Sequence, residues 1–188
     1  MTFQTIISFL PWIVFAIIPC NNMVELSYAV VVCLFLELVG DYKQLRKGFI
    51  LSWGTLIFFA FNVIFVTWLK YVWIATHMGV FASAALAAIA WFSLLIGKPF
   101  TIQYAKEKTP KDRWNSPVFI RINKIMTIFW GCLFIFNTEV NVLKFYYSGI
   151  PNWVYSVVLI FSMAVGMMFV IRFPDWYKAR ATQEPKNN

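Results

Sequence analysis

Long apolar runs, separated by short polar segments, dominate the chain. A helix needs about 20 apolar residues to cross roughly 30 Å of hydrocarbon. Six runs meet or approach that length, and the predicted spans are residues 3–19, 23–40, 49–69, 72–96, 119–146 and 153–173. The pattern therefore predicts an all-α, polytopic membrane protein. A single transmembrane bundle is expected over residues 1–173, with a polar tail over residues 174–188.

The Lys and Arg residues are divided unevenly between the two ends of these spans. Of the 16, only Lys70 and Lys144 lie at one end, and the others lie in or beside the second and fourth connections and in the tail. Because Lys-rich and Arg-rich loops stay in the cytoplasm, we expect three in-out-in hairpins with both termini cytoplasmic. The first span is the weakest, since Pro11 interrupts it. Alternatively it lies in the interface or re-enters, which would move the N-terminus outside.

Composition and motifs argue against several classes of function. The chain is 61% hydrophobic and carries a net charge of +8, which we assign to orientation and headgroup contact and not to nucleic acid. Three Cys in or beside apolar runs and a single His give no disulfide framework and no ligand set for zinc, haem or di-iron. We expect no metal and no cofactor. No motif of a nucleotide-binding loop, an activated nucleophile or a carboxylate dyad supports an enzyme.

The predicted fifth span carries polar and small side chains at helical spacing, among them Asn123 and Asn141, with Asn137 beside them. One interpretation is a packing face closed by amide hydrogen bonds, and the other is a polar cavity wall. Glu139 is the strongest candidate, because it lies roughly 7 Å inside the outer boundary and a carboxylate there needs a partner or a proton. The candidate cavity comprises Asn62, His77, Asn137, Glu139, Asn141 and Lys144.

Two further acidic residues, Glu37 and Asp41, lie one helical turn apart at the inner end of the second span. We expect them to face the basic loops and to form ion pairs there. The fourth span repeats small residues on one face, at Gly79, Ser83 and neighbouring alanines. Such a face packs closely against a neighbouring helix or against a second copy of the chain, so a homo-oligomer is one alternative.

The long connection after the fourth span is amphipathic and basic. We expect it to lie along the inner membrane surface, with Phe100, Tyr104 and Trp114 inserted and its lysines against anionic lipid headgroups. The alternative is a docking surface for a protein partner. The candidate residues for either role are Lys98, Pro99, Phe100, Tyr104, Lys106, Lys108, Lys111, Arg113 and Trp114.

Three short motifs accompany this pattern of spans. They are Phe9-Leu10-Pro11, then Gly97-Lys98-Pro99-Phe100 after an alanine-rich span, and Asn123 followed by Trp130-Gly131 and Phe134. With the chain's size, they resemble the intracellular septation protein A (YciB-like) family, and related families of uncharacterised bacterial multi-pass proteins are similar to the same extent. The resemblance implies a bacterial inner-membrane protein that supports the envelope together with division or elongation proteins, without known catalysis. It also implies that Lys98, Pro99 and the basic loop face a partner.

Two hypotheses of function follow. The first is a non-enzymatic inner-membrane protein that supports cell-envelope integrity, division or elongation through contacts with lipids or partners. The second is a small-molecule or ion transporter, a channel or a lipid-handling protein that uses a polar cavity in the outer half. An intramembrane enzyme acting on lipid has no nucleophile or metal site to support it.

Overall fold

The structure is a computed structural model that describes residues 3–18, 22–147 and 149–183. Within those ranges all regular secondary structure is helical. A π-helical segment, Val63–Trp68, continues α4, and a 3-10 turn, Lys111–Arg113, precedes α8. The α-helices are α1 (Phe3–Ile17), α2 (Met23–Gly40), α3 (Tyr42–Arg46), α4 (Ile50–Asn62), α5 (Val72–Thr76), α6 (Met78–Leu95), α7 (Phe100–Lys106), α8 (Pro117–Tyr146) and α9 (Asn152–Gln183).

Among the described residues, five helical stretches are long and apolar enough to cross a membrane. They are Met23–Gly40, Ile50–Trp68, Met78–Leu95, Pro117–Tyr146 and Asn152–Arg180. The prediction of an all-helical chain with several helices of membrane length is confirmed at this level. The first predicted span corresponds to a shorter apolar stretch, Ser8–Ile17, and its predicted end at Pro19 lies outside the described residues.

Two helix boundaries differ from the sequence pattern. The predicted span 72–96 is divided into α5 and α6 at His77, whose backbone angles (φ −97°, ψ 16°) are not helical. At the other end of the chain, α9 continues through Pro174 to Gln183, beyond the predicted end of the sixth span at residue 173. Aromatic packing of Phe173 against Tyr177, with ring centroids 5.6 Å apart, accompanies this continuation. Residues 184–188 of the predicted tail lie outside the described residues.

Helix α8 lies at the centre of the bundle and packs against α6, α7 and α9. The contact with α6 is close because a Cβ at Gly131 would lie 2.9 Å from the Trp91 indole nitrogen. The small-residue face of α6 packs against α8, since a Cβ at Gly79 would lie 2.7 Å from Oδ1 of Asn141. These small residues therefore let two helices of the same chain approach each other.

The outer surface of the molecule is apolar over much of its area. Large side chains such as Phe35, Ile57, Trp68 and Leu95 are exposed, whereas soluble monomers rarely expose extended apolar patches. No Lys or Arg whose side chain the structure describes is buried. Apolar side chains outside and several polar side chains inside are typical of a protein surrounded by lipid.

Helix α7 turns back into the bundle and does not lie flat on its surface. Gly97 makes the turn with φ +69°, a conformation that favours glycine. The backbone N–H of Phe100 then donates to Ser93 Oγ at 3.1 Å. On the next residue, Thr101 Oγ1 donates to the Asn123 carbonyl of α8 at 2.8 Å. These bonds fix α7 between α6 and α8 and place it beside the site described below.

Candidate functional site

The amides predicted to line an outer cavity are bonded to neighbouring helices. Asn137 is buried, and its Oδ1 accepts a 2.6 Å hydrogen bond from Ser162 Oγ of α9. Asn141 Nδ2 donates to the Asn137 carbonyl at 2.9 Å and reaches Ser83 Oγ of α6 at 3.5 Å. The structure thus brings these two amides together as a packing contact among α6, α8 and α9, the first of the two interpretations above.

The other four predicted members do not join that contact. Asn62 is buried in α4, where its Nδ2 donates to the Phe58 carbonyl at 2.8 Å. The Nδ1 atom of His77 lies 2.8 Å from the Trp73 carbonyl oxygen, and its ring stacks on Phe145. Glu139 and Lys144 are exposed. Glu139 follows Asn137 by two residues, which is a rotation of roughly 200° around the helix. Because Asn137 faces the bundle interior, Glu139 faces away from it.

The residues of the basic connection are buried, half-buried or exposed. Pro99, Phe100 and Tyr104 are buried in the protein, so insertion of Phe100 and Tyr104 into lipid is wrong. The physical reason is the turn at Gly97, which directs α7 against α8. Trp114 is half-buried under the Lys106 ammonium, which lies 5.0 Å from the centre of a ring of its indole. The exposed members are Lys98, Lys108, Lys111 and Arg113.

A cavity of about 570 Å³ lies between α7, the first half of α8 and the end of α9. We call it the basic cavity. Its wall is mainly apolar, and three cationic side chains lie at its edge, Lys108, Arg113 and Lys178. Along α8 it extends from Ser116 to Trp130, which is roughly 20 Å at 1.5 Å per residue. The apolar wall includes Phe9, Phe119, Ile122, Met126, Trp130 and Val170.

One buried amide in this wall has an unused acceptor. Asn123 is 3% exposed, and its Oδ1 has no hydrogen-bond partner. Its Nδ2 donates to the Phe119 carbonyl at 2.8 Å, so this bond fixes which amide atom is the oxygen. The basic cavity therefore offers cations at its mouth and a long apolar wall. An amphiphile with an anionic head matches that arrangement.

A second polar group lies behind the wall of the basic cavity, and it overturns an expectation. Glu37 and Asp41 are 0% and 1% exposed, and the two ion pairs among the described residues involve neither of them. The prediction that they pair with the basic loops is therefore wrong. Asp41 Oδ2 accepts a 2.6 Å hydrogen bond from Ser52 Oγ of α4, and Ser52 Oγ lies 3.3 Å from the Tyr104 hydroxyl.

Burial controls the ionisation of this group. It raises the pKa of the Asp41 carboxyl above its usual range, while hydrogen bonds from Ser52 and Ser8 oppose the increase and the charge of Glu107 adds to it. Burial likewise raises the pKa of the Tyr104 hydroxyl. Tyr104 belongs to both features, because it also lines the basic cavity. The acidic group and the cavity are thus joined through one phenol.

The burial of Glu37 has a signal in the sequence. Leu26, Val30 and Cys33 are buried on the face of α2 that packs into the bundle, and Glu37 follows Cys33 by four residues on that face. From the sequence alone, this spacing does not identify the buried face of α2, because nearly every other residue of the span is also apolar.

The fold and these contacts define the class as a helical protein with the helix lengths and surface of a multi-pass membrane protein. No family model, curated protein or solved structure matches the chain significantly.

Proposed function

We propose that this is a non-enzymatic multi-pass protein of a bacterial inner membrane that binds an anionic lipid in the basic cavity. Through that lipid, and through membrane partners of the division or elongation machinery, it supports the cell envelope. The single observation that carries the proposal is the combination of an apolar wall roughly 20 Å long with the cations Lys108, Arg113 and Lys178 at its edge. The resemblance to septation protein A supports the envelope role.

The topology in this proposal is the six-span arrangement with both termini in the cytoplasm. The Lys-rich and Arg-rich connections then meet the cytoplasmic leaflet, where anionic lipids give a negative surface potential. The basic cavity opens at the same end of the bundle as these connections, because Lys108 and Arg113 belong to one of them. A lipid of that leaflet could enter from the side, with its head at the cations and one acyl chain along α8.

The test is a comparison of lipid retention. The purified full chain is exchanged into mixed micelles with phosphatidylglycerol or phosphatidylcholine, and bound lipids are counted by native mass spectrometry. The wild type should retain phosphatidylglycerol preferentially. The double variant Lys108→Gln/Arg113→Gln should lose that preference by about thirtyfold, since each exposed charge near an anionic head contributes about 1 kcal/mol and tenfold corresponds to about 1.4 kcal/mol.

The matched control is Lys43→Gln/Arg46→Gln, which removes the same charge from exposed positions in α3, away from the cavity. It should keep the preference for phosphatidylglycerol. Equal losses in both double variants would mean that the lipid responds only to overall charge, and the cavity would no longer be the binding site. Ala105→Phe, which adds a ring to the cavity lining, should reduce retention of both lipids.

Transport through a cavity in the outer half has weaker support. Asn137 and Asn141 are used in hydrogen bonds between helices, and Glu139 is exposed. A second, apolar cavity lies between α8 and α9 and is lined by residues such as Phe136, Phe161 and Ser162. Neither this cavity nor the basic cavity is lined by any of the six residues predicted for that role.

A further inference from the structure

Three acceptor side chains lie on one face at the end of α2 and the start of α3. Glu37, Asp41 and Gln44 follow one another at spacings of four and three residues, which places them on the same side of the chain. Their exposures are 0%, 1% and 2%. Glu37 Oε1 and Oε2, Asp41 Oδ1 and Gln44 Oε1 are all buried without a hydrogen-bond partner. Four acceptor oxygens at this place therefore lack a donor.

The helices packed against this face bring no compensating charge. Helices α1 and α4 contain no Asp, Glu, Lys or Arg, and neither do the π-helical segment and α5, which contact α2 as well. Helix α3 carries Lys43 and Arg46, which are exposed. From α7 come the Tyr104 phenol and, just beyond the helix, Glu107, which is paired with Lys47 at 2.6 Å.

The missing component is a donor, and a proton fits the geometry better than a metal ion. A hard cation needs about six oxygen ligands gathered around it, whereas neither Glu37 oxygen has a hydrogen-bonding neighbour. In the described part of the chain no group of three or more His, Cys, Asp or Glu could hold a metal ion. A proton needs only the carboxyl oxygen that it binds. It also removes the charge whose burial in apolar surroundings is costly.

We propose that Glu37 and Asp41 form a proton-binding site in which Glu37 holds the proton and Tyr104 links the site to the basic cavity. Of the two carboxyls, Glu37 is the one to be neutral, since Asp41 has the Ser52 hydroxyl as a donor and Glu37 has none. From Asp41 a chain of hydroxyls runs through Ser52 to Tyr104 at 2.6 and 3.3 Å. Tyr104 lines the basic cavity, so this chain brings protons from the cavity as far as Asp41, and Glu37 lies one helical turn from Asp41.

The proton is observable by infrared spectroscopy of the full chain in lipid bilayers. At neutral pH exposed carboxyls are ionised, because their ordinary pKa is about 4. A C=O stretching band of a protonated carboxyl should therefore report the buried site. The wild type should show this band, Glu37→Gln should lose it, and Glu139→Gln, a matched change at an exposed residue, should keep it. Absence of the band in the wild type, or its persistence in Glu37→Gln, would overturn the proposal.

A measurement on the unmodified sequence removes any dependence on the folding of a variant. Isotopic labelling of the glutamate carboxyl carbons should shift the band, and an unshifted band would place the proton on an aspartate and overturn the assignment. Spectra in sodium chloride and choline chloride test the other occupant. A band that disappears on addition of sodium would mean that a cation competes for the site, which contradicts a dedicated proton site.

The route is tested by the rate at which the band shifts after transfer to deuterium oxide. Tyr104→Phe removes the hydroxyl 3.3 Å from Ser52 and should slow the shift without abolishing the band. Tyr155→Phe is the control, since Tyr155 is a buried tyrosine whose hydroxyl donates to the Tyr147 carbonyl elsewhere in the bundle. Equal rates in the two variants would overturn the route. None of these measurements requires a lipid in the cavity, so they stand or fall separately from lipid binding.

Discussion

Ser52 of α4 donates a 2.6 Å hydrogen bond to Oδ2 of Asp41, which follows the last residue of α2. Both residues are buried, and Asp41 Oδ1 has no partner. Removal of a donor from a buried carboxyl leaves it less satisfied and costs about 1–3 kcal/mol. Ser52→Ala should therefore lower the free energy of unfolding by that amount, measured by denaturant titration in mixed micelles.

The control for this variant is Ser27→Ala. Ser27 is half-buried and donates at 2.8 Å to the Met23 carbonyl within its own helix, so its loss leaves no side-chain carboxyl without a donor. A change in stability below about 0.5 kcal/mol is expected there. If the two variants were equally stable, the Ser52–Asp41 bond would contribute nothing measurable.

Asp41 also makes the stability depend on pH. Burial raises the pKa of its carboxyl by more than the hydrogen bonds from Ser52 and Ser8 lower it. From the ordinary Asp pKa of about 3.9 up to the raised value, the folded chain binds more protons than the unfolded chain. Its stability therefore falls as the pH rises through that window. Asp41→Asn removes this contribution, so the variant should gain stability relative to the wild type as the pH rises.

The measurement is the free energy of unfolding of both proteins across a pH series. Asp112→Asn serves as the control, because it removes the same side-chain charge from an exposed position in the 3-10 turn. An Asp41→Asn difference that stayed constant over the series would contradict a raised pKa in the folded chain.

The helical class and most helix bounds are accessible from the sequence, because the length of an apolar run is a one-dimensional property. The second predicted span coincides with α2 (Met23–Gly40). A break in a helix such as that at His77 cannot be predicted from the apolar pattern, since a change in two backbone angles leaves that pattern unaltered. The sixth span was predicted to end at residue 173, but Pro174 lies inside α9.

The buried face of each helix is hard to predict from the sequence. Glu139 was expected to line a polar cavity, but it points away from Asn137 and is exposed. Glu37 was expected to face the basic loops, but it points into the bundle. In a lipid environment both faces of a helix are apolar, so hydrophobic periodicity does not identify the buried face. The turn of α7 into the bundle depends on tertiary contacts for the same reason.

The bond between Asn137 and Ser162 gives a test of the outer amide contact. Ser162 is buried, and its hydroxyl donates to Asn137 Oδ1 at 2.6 Å. Hydrogen bonds between membrane helices contribute about 0.6–1.7 kcal/mol, so Ser162→Ala should destabilise the bundle by that amount. Ser156→Ala, an exposed position on the same helix, should have no effect. Destabilisation of both variants to the same extent would mean that the contact is not specific.

Glu139 gives a complementary prediction. Because its side chain is exposed and belongs to neither described cavity, Glu139→Gln should leave the unfolding free energy within about 0.5 kcal/mol of the wild type. It should also leave proton or cation flux into liposomes unchanged. A loss of flux in this variant, with the fold intact, would restore the transporter hypothesis for the outer half.

The close approach of α6 and α8 makes Gly131 sensitive to substitution. A Cβ at this position would lie 2.9 Å from Trp91 Nε1 and 3.1 Å from Cε2 of the same ring, and a rigid indole has to move as a unit. Overpacking of this kind costs about 1–3 kcal/mol, so Gly131→Ala should lower the unfolding free energy by that amount. Gly149→Ala is the control, since a Cβ there meets no atom within 4 Å. A Gly131→Ala protein as stable as Gly149→Ala would show that Trp91 swings aside at no cost, and that α6 and α8 do not require glycine where they meet.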